Sequence, residues 1–372
     1  MKYYIISGER SGDLHASNLV KAISREDTKA LFRGTGGEYS QKAGVELYKN
    51  YKDIAFMGFF EVAINLRTIS RIFREVQLDL LKYKPDVLIL VDFGGFNMRM
   101  ARFAKENNIK VFYYISPKIW AWNQKRAFKI KALVDRMFVI MPFEKDFYQK
   151  YDYKVDYVGN PVNDAVSSHQ SNPSFLQENH IPDKPLIAIL AGSRKQEVTV
   201  MLETMVNIVP QFPEHHFVIA AVSNLPKEYY EKYKSKNISV VYDQTYDLLV
   251  QAKAAVVTSG TATLETALFE VPQVVCYKTH PVTFFIGKLL VKIKFFSLPN
   301  LIADKEVVKE LLQDQFTVET VSAELKELIK EGPHRENVLS GYKFIKEILG
   351  IENTSAKTAS LMTKYLSTDD KK

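Results

Sequence analysis

One carboxylate in the sequence has a setting that suits proton transfer. Asp92 ends the apolar run 85–92 and is followed by the glycine-rich stretch 93–97. An aspartate at the carboxyl end of a buried strand is partly desolvated, which raises its basicity and suits a general base. A carboxylate that only hydrogen-bonds the following loop is an equally good interpretation of the residues alone. Asp92 is therefore a candidate proton acceptor.

Two turns in the second half of the chain carry residues that suit a phosphorylated nucleotide. The first is Ala191-Gly192-Ser193-Arg194, in which Arg194 offers a forked donor to a pyrophosphate. The second is SGTATLE at 259–265, where small hydroxyl residues at a helix start suit a diphosphate and Glu265 suits both hydroxyls of a ribose. A capped helix with a glutamate in its first turn is the structural alternative. The predicted nucleotide-sugar site comprises Ser193, Arg194, Ser259, Gly260, Thr261, Ala262, Thr263 and Glu265.

Polar residues in the first half could contact a second substrate. The turn GERSGD at 8–13 suits close backbone approach to a ligand, although a tight turn with a helix cap explains the same residues. The segment 115–126 holds both tryptophans beside three cations, and it fits either a sugar-phosphate site or a structural corner. The predicted second-substrate contacts are Glu9, Ser11, Asn97, Trp120 and Lys125.

The remaining chemical features are one amide and the lack of a metal motif. Asn300 lies in the loop 297–303 and is a plausible orienting amide, although this loop alone has low specificity. No Asp-x-Asp pair occurs, and no His, Asp and Glu residues stand at metal-ligand spacing. We therefore expect no metal and no cofactor. Arginine, lysine and helix dipoles would then have to neutralise a diphosphate.

Strand-like and helix-like patterns alternate along the chain, which predicts parallel sheets with right-handed crossovers. The predicted strands of the first half are 3–7, 29–37, 85–92, 110–116, 135–141 and 155–160. Those of the second half are 185–193, 216–222, 238–243, 254–260 and 272–277. A polar stretch at 167–185 separates the halves. We predict an α/β protein of two Rossmann-like domains, with parallel sheets that face a central cleft.

The bulk composition limits the class of protein. Its 372 residues exceed what one hydrophobic core usually holds, and we predict domains at 1–165 and 166–344, with a C-terminal helix at about 345–372 packing back on the first. The net charge of +7 favours an anionic partner, but scattered Lys and Arg without a nucleic-acid motif argue against DNA or RNA. The single cysteine, Cys276, excludes an internal disulfide and favours a reducing compartment.

Two segments have the composition of membrane-surface contacts, although a core-facing helix explains each of them as well. Residues 56–62 lead into a helical pattern with three arginines close by, and residues 284–296 mix apolar side chains with three lysines. No apolar run is long enough to span a bilayer, and the N-terminus has no signal-peptide pattern. The predicted lipid contacts are Phe56, Phe59, Phe60, Val62, Leu66, Ile69, Phe284, Phe285, Phe295 and Phe296.

Eight stretches of the sequence occur in the order expected of one known family. They are SGERSGD (7–13), FMGFFEV (56–62), KPDVLILVD (84–92), ISPKIWAWNQKRAFKI (115–130), PFEKDFY (142–148), AGSRKQEV (191–198), SGTATLE (259–265) and FFSLPNLIADKEVVKELLQ (295–313). Together they resemble the lipid-A-disaccharide synthases. The Trp-Ala-Trp and Ser-Leu-Pro-Asn-Leu segments are specific to that family, whereas the turn at 260–265 is shared more widely among nucleotide-sugar transferases.

The resemblance implies a GT-B fold and an inverting, metal-independent glycosyltransferase of lipid A biosynthesis. It implies UDP-2,3-diacylglucosamine as donor, 2,3-diacylglucosamine 1-phosphate as acceptor, and a β(1→6)-linked disaccharide as product. The catalytic residues that it implies are Asp92, Arg194 and Asn300. It places the enzyme in the cytoplasm, peripheral to an anionic inner-membrane surface, and it leaves a homodimer open.

This sequence departs from the family pattern at three positions. Gly95 stands where a second acid is common, Arg10 where threonine is common, and Asn160 where some members have histidine. An acid at position 95 therefore cannot be essential here, and a catalytic role for position 160 is not supported. Two alternatives stay open. One is another UDP-GlcNAc enzyme of similar shape, such as a 2-epimerase or the peptidoglycan transferase, and the other is a non-catalytic protein that binds UDP-sugar or lipid.

Overall fold

The chain folds into two compact α/β units. The structure is a computed structural model that describes residues 1–54, 66–280, 284, 287, 291, 293–351 and 353–369. The N-terminal unit consists of Met1–Pro161 with Glu352–Lys372, and the C-terminal unit consists of Val162–Ile351. Each unit contains a parallel sheet with helical crossovers, as the alternating sequence pattern predicts.

The N-terminal unit has a sheet of seven parallel strands in the order β3-β2-β1-β4-β5-β6-β7. The strands are β1 (Lys2–Ser7), β2 (Leu31–Gly36), β3 (Val45–Asn50), β4 (Val87–Val91), β5 (Lys110–Tyr114), β6 (Arg136–Val139) and β7 (Asp156–Tyr157). Its helices are Arg10–Glu26, Glu38–Lys42, Leu66–Tyr83, Gly94–Glu106, Arg126–Leu133, Glu144–Gln149 and Thr354–Asp369. All five residues of β4, VLILV, are buried, as expected for a strand covered on both faces.

The last helix of the chain belongs to the core of the N-terminal unit. Thr354–Asp369 packs against Arg10–Glu26, and Met362 and Leu366 are buried in the same hydrophobic cluster as β1 and β4. The Tyr365 hydroxyl donates to Asp156 at 3.0 Å. This helix therefore covers one face of the first sheet although it comes from the opposite end of the sequence.

The C-terminal unit has a sheet of six parallel strands in the order β10-β9-β8-β11-β12-β13. The strands are β8 (Leu186–Leu190), β9 (His216–Ala221), β10 (Ile238–Tyr242), β11 (Ala252–Thr258), β12 (Gln273–Tyr277) and β13 (Glu310–Leu312). Its helices are Pro161–Ser167, which begins at the boundary of the two units, and Phe175–Glu178, Lys195–Val206, Glu228–Glu231, Thr245–Gln251, Thr261–Leu268, Leu298–Ala303, Val318–Ile329 and Pro333–Leu349. The buried aliphatic side chains of β8 and β11 form the centre of this core.

Both sheets reverse their strand order at one point, and these points fix where ligands can enter each unit. In the first sheet the reversal lies between β1 and β4, where Ser7 pairs with Val91. In the second it lies between β8 and β11, where Leu190 pairs with Val257. A crevice forms outside the carboxyl ends of such strands, because the connecting helices leave in opposite directions. The crevices therefore lie beside Asp92 and beside the turns 191–194 and 259–265.

Candidate functional site

The turn after β8 presents Arg194 at the start of a helix. Gly192 has φ +97°, and a Cβ there would lie 2.6 Å from Oε2 of Glu197, so the turn requires glycine. The Glu197 carboxylate accepts the backbone N–H of Ser193 at 3.2 Å and of Arg194 at 3.3 Å, and it also accepts Nη1 of Arg194 at 3.2 Å. The Arg194 side chain remains 67% exposed, so its guanidinium can reach an anionic ligand.

The turn after β11 is hydrogen-bonded to the segment 296–300, which lies more than thirty residues further along the chain. The Ser259 hydroxyl donates to the Phe296 carbonyl at 2.8 Å. Thr263 Oγ1 donates to the Gly260 carbonyl at 2.7 Å and accepts the Leu298 N–H at 3.3 Å. Two motifs found separately in the sequence are therefore one structural site. Gly260 and Thr261 are exposed and Ala262 is half-buried at the start of the helix Thr261–Leu268, where N–H groups favour an anion.

Glu265 lies one turn into the helix Thr261–Leu268 and has a partner that the sequence analysis missed. The Tyr246 hydroxyl donates to Glu265 Oε1 at 2.9 Å. Burial raises the pKa of Glu265, and the hydrogen bond from Tyr246 lowers it in part. No motif points to Tyr246, because it stands in the ordinary helix Thr245–Gln251, nineteen residues before the glutamate.

Asn300 is enclosed by the protein's own groups. Its side chain is fully buried, and Oδ1 accepts the N–H groups of Val307 at 2.7 Å and Val308 at 2.9 Å. Its Nδ2 donates to the Val308 carbonyl at 2.9 Å and to Glu310 Oε1 at 2.8 Å. Glu310, which the sequence analysis also missed, accepts further bonds from Ser297 at 2.9 and 2.7 Å. The amide of Asn300 thus holds the segment that supports the 259–265 turn.

The Asn300→Ala variant is expected to lose about 1–3 kcal/mol of unfolding free energy, because buried partners are left without hydrogen bonds. Denaturant unfolding measures this loss, and the exposed Asn224→Ala is the matched control. A variant of unchanged stability that has nonetheless lost turnover would mean that the Asn300 amide acts on substrate directly.

Asp92 occupies a strained turn that other residues hold in place. Asp92 and Phe93 have φ values of 47° and 50°, in the left-handed region that few non-glycine residues adopt. The Tyr113 hydroxyl donates to the Asp92 carbonyl at 2.6 Å, and Asn97 Nδ2 donates to the same carbonyl at 2.7 Å. The Phe93 ring lies against Gly8, where a Cβ would come within 2.2 Å of it. The turn at 8–13 and the candidate base therefore pack together.

The surroundings of the Asp92 carboxyl group make it a stronger base than an exposed aspartate. Burial raises its pKa, while the charge of Lys118 and a backbone hydrogen bond from Phe93 oppose the rise. A carboxylate of raised pKa is a better proton acceptor, provided that it remains ionised at the working pH. The direction of this shift suits the proton acceptor that the sequence predicts at Asp92.

The five predicted contacts to a second substrate divide into surface and interior residues. Ser11 and Lys125 are exposed and Glu9 is half-buried, whereas Asn97 and Trp120 are buried. Trp120 packs edge-on against the ring of Phe143 at 4.9 Å between ring centroids. The structure therefore places Asn97 and Trp120 where they support the site from within.

Asp13 lies in the first turn of the helix Arg10–Glu26, but its side chain caps a different helix. Its carboxylate accepts the N–H groups of Gly37 at 2.7 Å, Tyr39 at 3.1 Å and Ser40 at 3.1 Å. These groups begin the short helix Glu38–Lys42. The buried carboxylate of Asp13 thereby joins the turn at 8–13 to the glycine-rich segment 34–37.

The predicted lipid contacts are only partly within the described residues. Phe56, Phe59, Phe60, Val62 and Phe285 lie outside them, as does the side chain of Leu66, the first residue of its helix. Ile69, Phe284, Phe295 and Phe296 are half-buried, and the rings of Phe284 and Phe296 stack at 6.3 Å. In the part of the chain that the structure describes, no helix has the length and apolar character needed to cross a bilayer.

Comparison with known proteins identifies the family. The profile of the lipid-A-disaccharide synthetase family matches residues 3–363. Relatives named lipid-A-disaccharide synthase include those of Syntrophus aciditrophicus, 35% identical over 98% of both chains, and Coxiella burnetii, 35% identical over 96% of both chains. The chain belongs to the lipid-A-disaccharide synthase family. Membership confirms the family resemblance drawn from the eight motifs, and it confirms the expectation of a glycosyltransferase.

Solved structures that resemble this synthase-family chain confirm its fold class. The UDP complex of S. aureus MnaA has a TM-score of 0.68 at 15% identity and covers 98% of this chain and 97% of that one. The Neisseria meningitidis UDP-GlcNAc 2-epimerase bound to UDP-GlcNAc has a TM-score of 0.63 at 14% identity and covers 98% of this chain and 100% of that one. At 14% and 15% sequence identity these similarities show the fold alone. The fold is the GT-B type that the sequence predicts, with two parallel-sheet α/β domains.

Proposed function

We propose that this chain transfers 2,3-diacylglucosamine from UDP to the 6-hydroxyl of 2,3-diacylglucosamine 1-phosphate, with inversion at the anomeric carbon. The observation that carries the proposal is the placement of Asp92 and of both nucleotide turns at the points where strand order reverses. Ligands of open α/β sheets bind outside the carboxyl ends of strands at these points. The proposed products are the β(1→6)-linked disaccharide 1-phosphate and UDP.

In this proposal the C-terminal unit, which the sequence assigns to UDP-sugar, binds the donor. The exposed guanidinium of Arg194 and the helix start at 260–263 bind the diphosphate, and Glu265 binds the ribose hydroxyls. UDP-sugar binding is consistent with the family and with the solved structures of similar fold that hold UDP or UDP-GlcNAc. The N-terminal unit then binds the acceptor, with its 6-hydroxyl at Asp92.

The proposed reaction is a single displacement. Asp92 takes the proton of the acceptor 6-hydroxyl while that oxygen attacks the anomeric carbon of the donor. The bond from the anomeric carbon to the diphosphate oxygen breaks, and its electron pair leaves with UDP. Positive charge develops on the sugar ring as in glycoside hydrolysis, and Arg194 and the helix start stabilise the negative charge that grows on UDP.

Release of UDP from a mixture of diacylated donor and acceptor tests the proposal directly. We expect release only when both diacylated sugars are present, together with formation of the disaccharide. Conversion of unacylated UDP-GlcNAc without acceptor would instead favour a 2-epimerase. Tight UDP binding with no release under any combination would favour a non-catalytic binding protein.

We further propose that the chain meets its acylated substrates at an anionic membrane surface, through the segment that follows β5. Trp122 is 45% exposed and Phe128 is 62% exposed. The Arg126 guanidinium lies 4.6 Å from the Trp122 ring, Lys125 is exposed, and residues 117–134 contain no carboxylate. Exposed rings among cations are typical of segments that lie in the interface of anionic bilayers.

The two tryptophans of the chain can be measured separately, and only Trp122 is expected to respond to a membrane contact. In the Trp120→Phe protein, fluorescence of Trp122 is expected to shift to shorter wavelength with anionic vesicles and to be quenched by brominated lipid. In the Trp122→Phe protein, Trp120, only 8% exposed, is expected to respond to neither. Phe128→Ala should weaken vesicle binding about tenfold, as expected for one apolar ring, whereas Phe344→Ala should not. Equal responses from both tryptophans would contradict the proposed orientation.

A further inference from the structure

Tyr246 is held beside Glu265 by a hydrogen bond from its hydroxyl and by contacts of its ring with two neighbouring rings. Its hydroxyl donates to Glu265 Oε1 at 2.9 Å, and its ring meets Phe269 at 5.1 Å and the edge of His169 at 5.4 Å. His169 is in turn held by Asp247, with Nε2 and Oδ1 3.1 Å apart. The Tyr246 hydroxyl is therefore held in one place relative to the carboxylate.

The hydrogen bond from Tyr246 matters because Glu265 is half-buried. Burial favours the neutral acid and raises the pKa of Glu265, whereas the bond from Tyr246 favours the carboxylate. Burial and the nearby carboxylate also raise the pKa of Tyr246, so its hydroxyl stays protonated and remains a donor. The imidazole of His169, which meets the Tyr246 ring, is itself paired with the carboxylate of Asp247.

An ionised glutamate offers only acceptors to the hydroxyls of a ribose, whereas a protonated one carries a donor on one of its two oxygens. With Oε1 engaged by Tyr246, Oε2 is the oxygen that remains available to a ligand. We infer that Tyr246 is a positioning residue for nucleotide binding: it orients the Glu265 carboxylate and keeps it in the form that accepts ribose hydroxyls. This inference rests on the proposed function, in which Glu265 binds the ribose of UDP.

The test is the pH dependence of UDP affinity in the Tyr246→Phe protein, measured by calorimetry. Because the pKa of Glu265 is raised, affinity should be full above it and should fall as the pH drops through it. Loss of the hydroxyl raises that pKa further, so the midpoint of the fall should move upward by roughly half to one pH unit, the size of one net hydrogen bond. Titration of UDP itself is common to all variants and cancels in the comparison.

Two controls separate this inference from the proposed function. Tyr233→Phe removes a hydroxyl from a half-buried tyrosine elsewhere in the C-terminal unit and should leave the midpoint unmoved. Glu265→Gln should weaken UDP binding and abolish the pH-dependent step. A Tyr246→Phe midpoint equal to that of the unsubstituted protein overturns the role of Tyr246 alone. Unweakened binding of UDP by Glu265→Gln would instead remove the proposed ribose contact.

Discussion

Replacing Asp92 by asparagine is expected to lower kcat by about 10²–10⁴-fold while UDP still binds, because the variant lacks the base but keeps the donor site. Asparagine is the informative substitution here. Asp92 has φ 47°, and asparagine is among the few residues that adopt this region readily, so the turn should persist. UDP release measures turnover, and calorimetry measures UDP affinity.

The exposed Asp183→Asn is the matched control for Asp92→Asn, since it removes the same charge from a loop of the C-terminal unit. It should retain full turnover. Normal turnover of the Asp92 variant would remove the aspartate from the mechanism. Loss of UDP affinity in parallel with kcat would mean that the substitution disturbs more than proton transfer.

The proposed role of Asp92 as the base also predicts how kcat/KM changes at acidic pH. The Asp92 carboxylate must be ionised to accept a proton, so kcat/KM should fall as the pH drops through its pKa. Burial raises that pKa and Lys118 opposes the rise, so the fall should begin at a higher pH than for an exposed aspartate. The Lys118→Met variant should show this fall in kcat/KM at a still higher pH, whereas Lys129→Met should leave the pH of the fall unchanged.

Most of the strands that the sequence predicts have side chains buried on both faces, and the half-buried edge strands β7 and β10 are the exceptions. Runs such as VLILV in β4 and LIAIL in β8 are continuous and apolar, and the structure has strands there. Two edge strands, β3 and β13, were not predicted. Only Val45 of β3 is buried, and β13 has three residues, so neither gives a clear pattern.

The candidate site was predicted in pieces, and the missing parts are those that depend on contacts distant in sequence. Spacing located both nucleotide turns, but it gave no indication that Ser259 bonds to the carbonyl of Phe296. Glu310 and Tyr246 are ordinary residues of a short strand and a helix, and only their neighbours make them relevant. The family resemblance pointed to Asn300 as a functional residue. Its complete burial could not be predicted, because the sequence around it has the pattern of a loop.

Replacing Arg194 by alanine is expected to lower kcat/KM by about 10²–10³-fold, the usual effect of removing one group that stabilises developing negative charge. Its side chain is 67% exposed, and such an ion pair contributes at most about 1 kcal/mol, so the fold should not suffer. Arg194→Lys should recover only part of the loss, because an ammonium lacks the two-pronged geometry of a guanidinium. Lys195→Ala, which removes the adjacent exposed cation, should have little effect.

The Arg194→Ala variant also leaves a negative charge without its partner. Glu197 accepts both backbone N–H groups at this helix start, and without Arg194 its carboxylate would repel the diphosphate. The Arg194→Ala, Glu197→Gln double variant should therefore recover part of the lost kcat/KM, measured by the same UDP-release assay. If the double variant is as impaired as Arg194→Ala, repulsion is negligible and the whole effect belongs to the missing guanidinium. If Arg194→Ala itself turns over normally, the leaving UDP must be stabilised by the helix start at 260–263 alone.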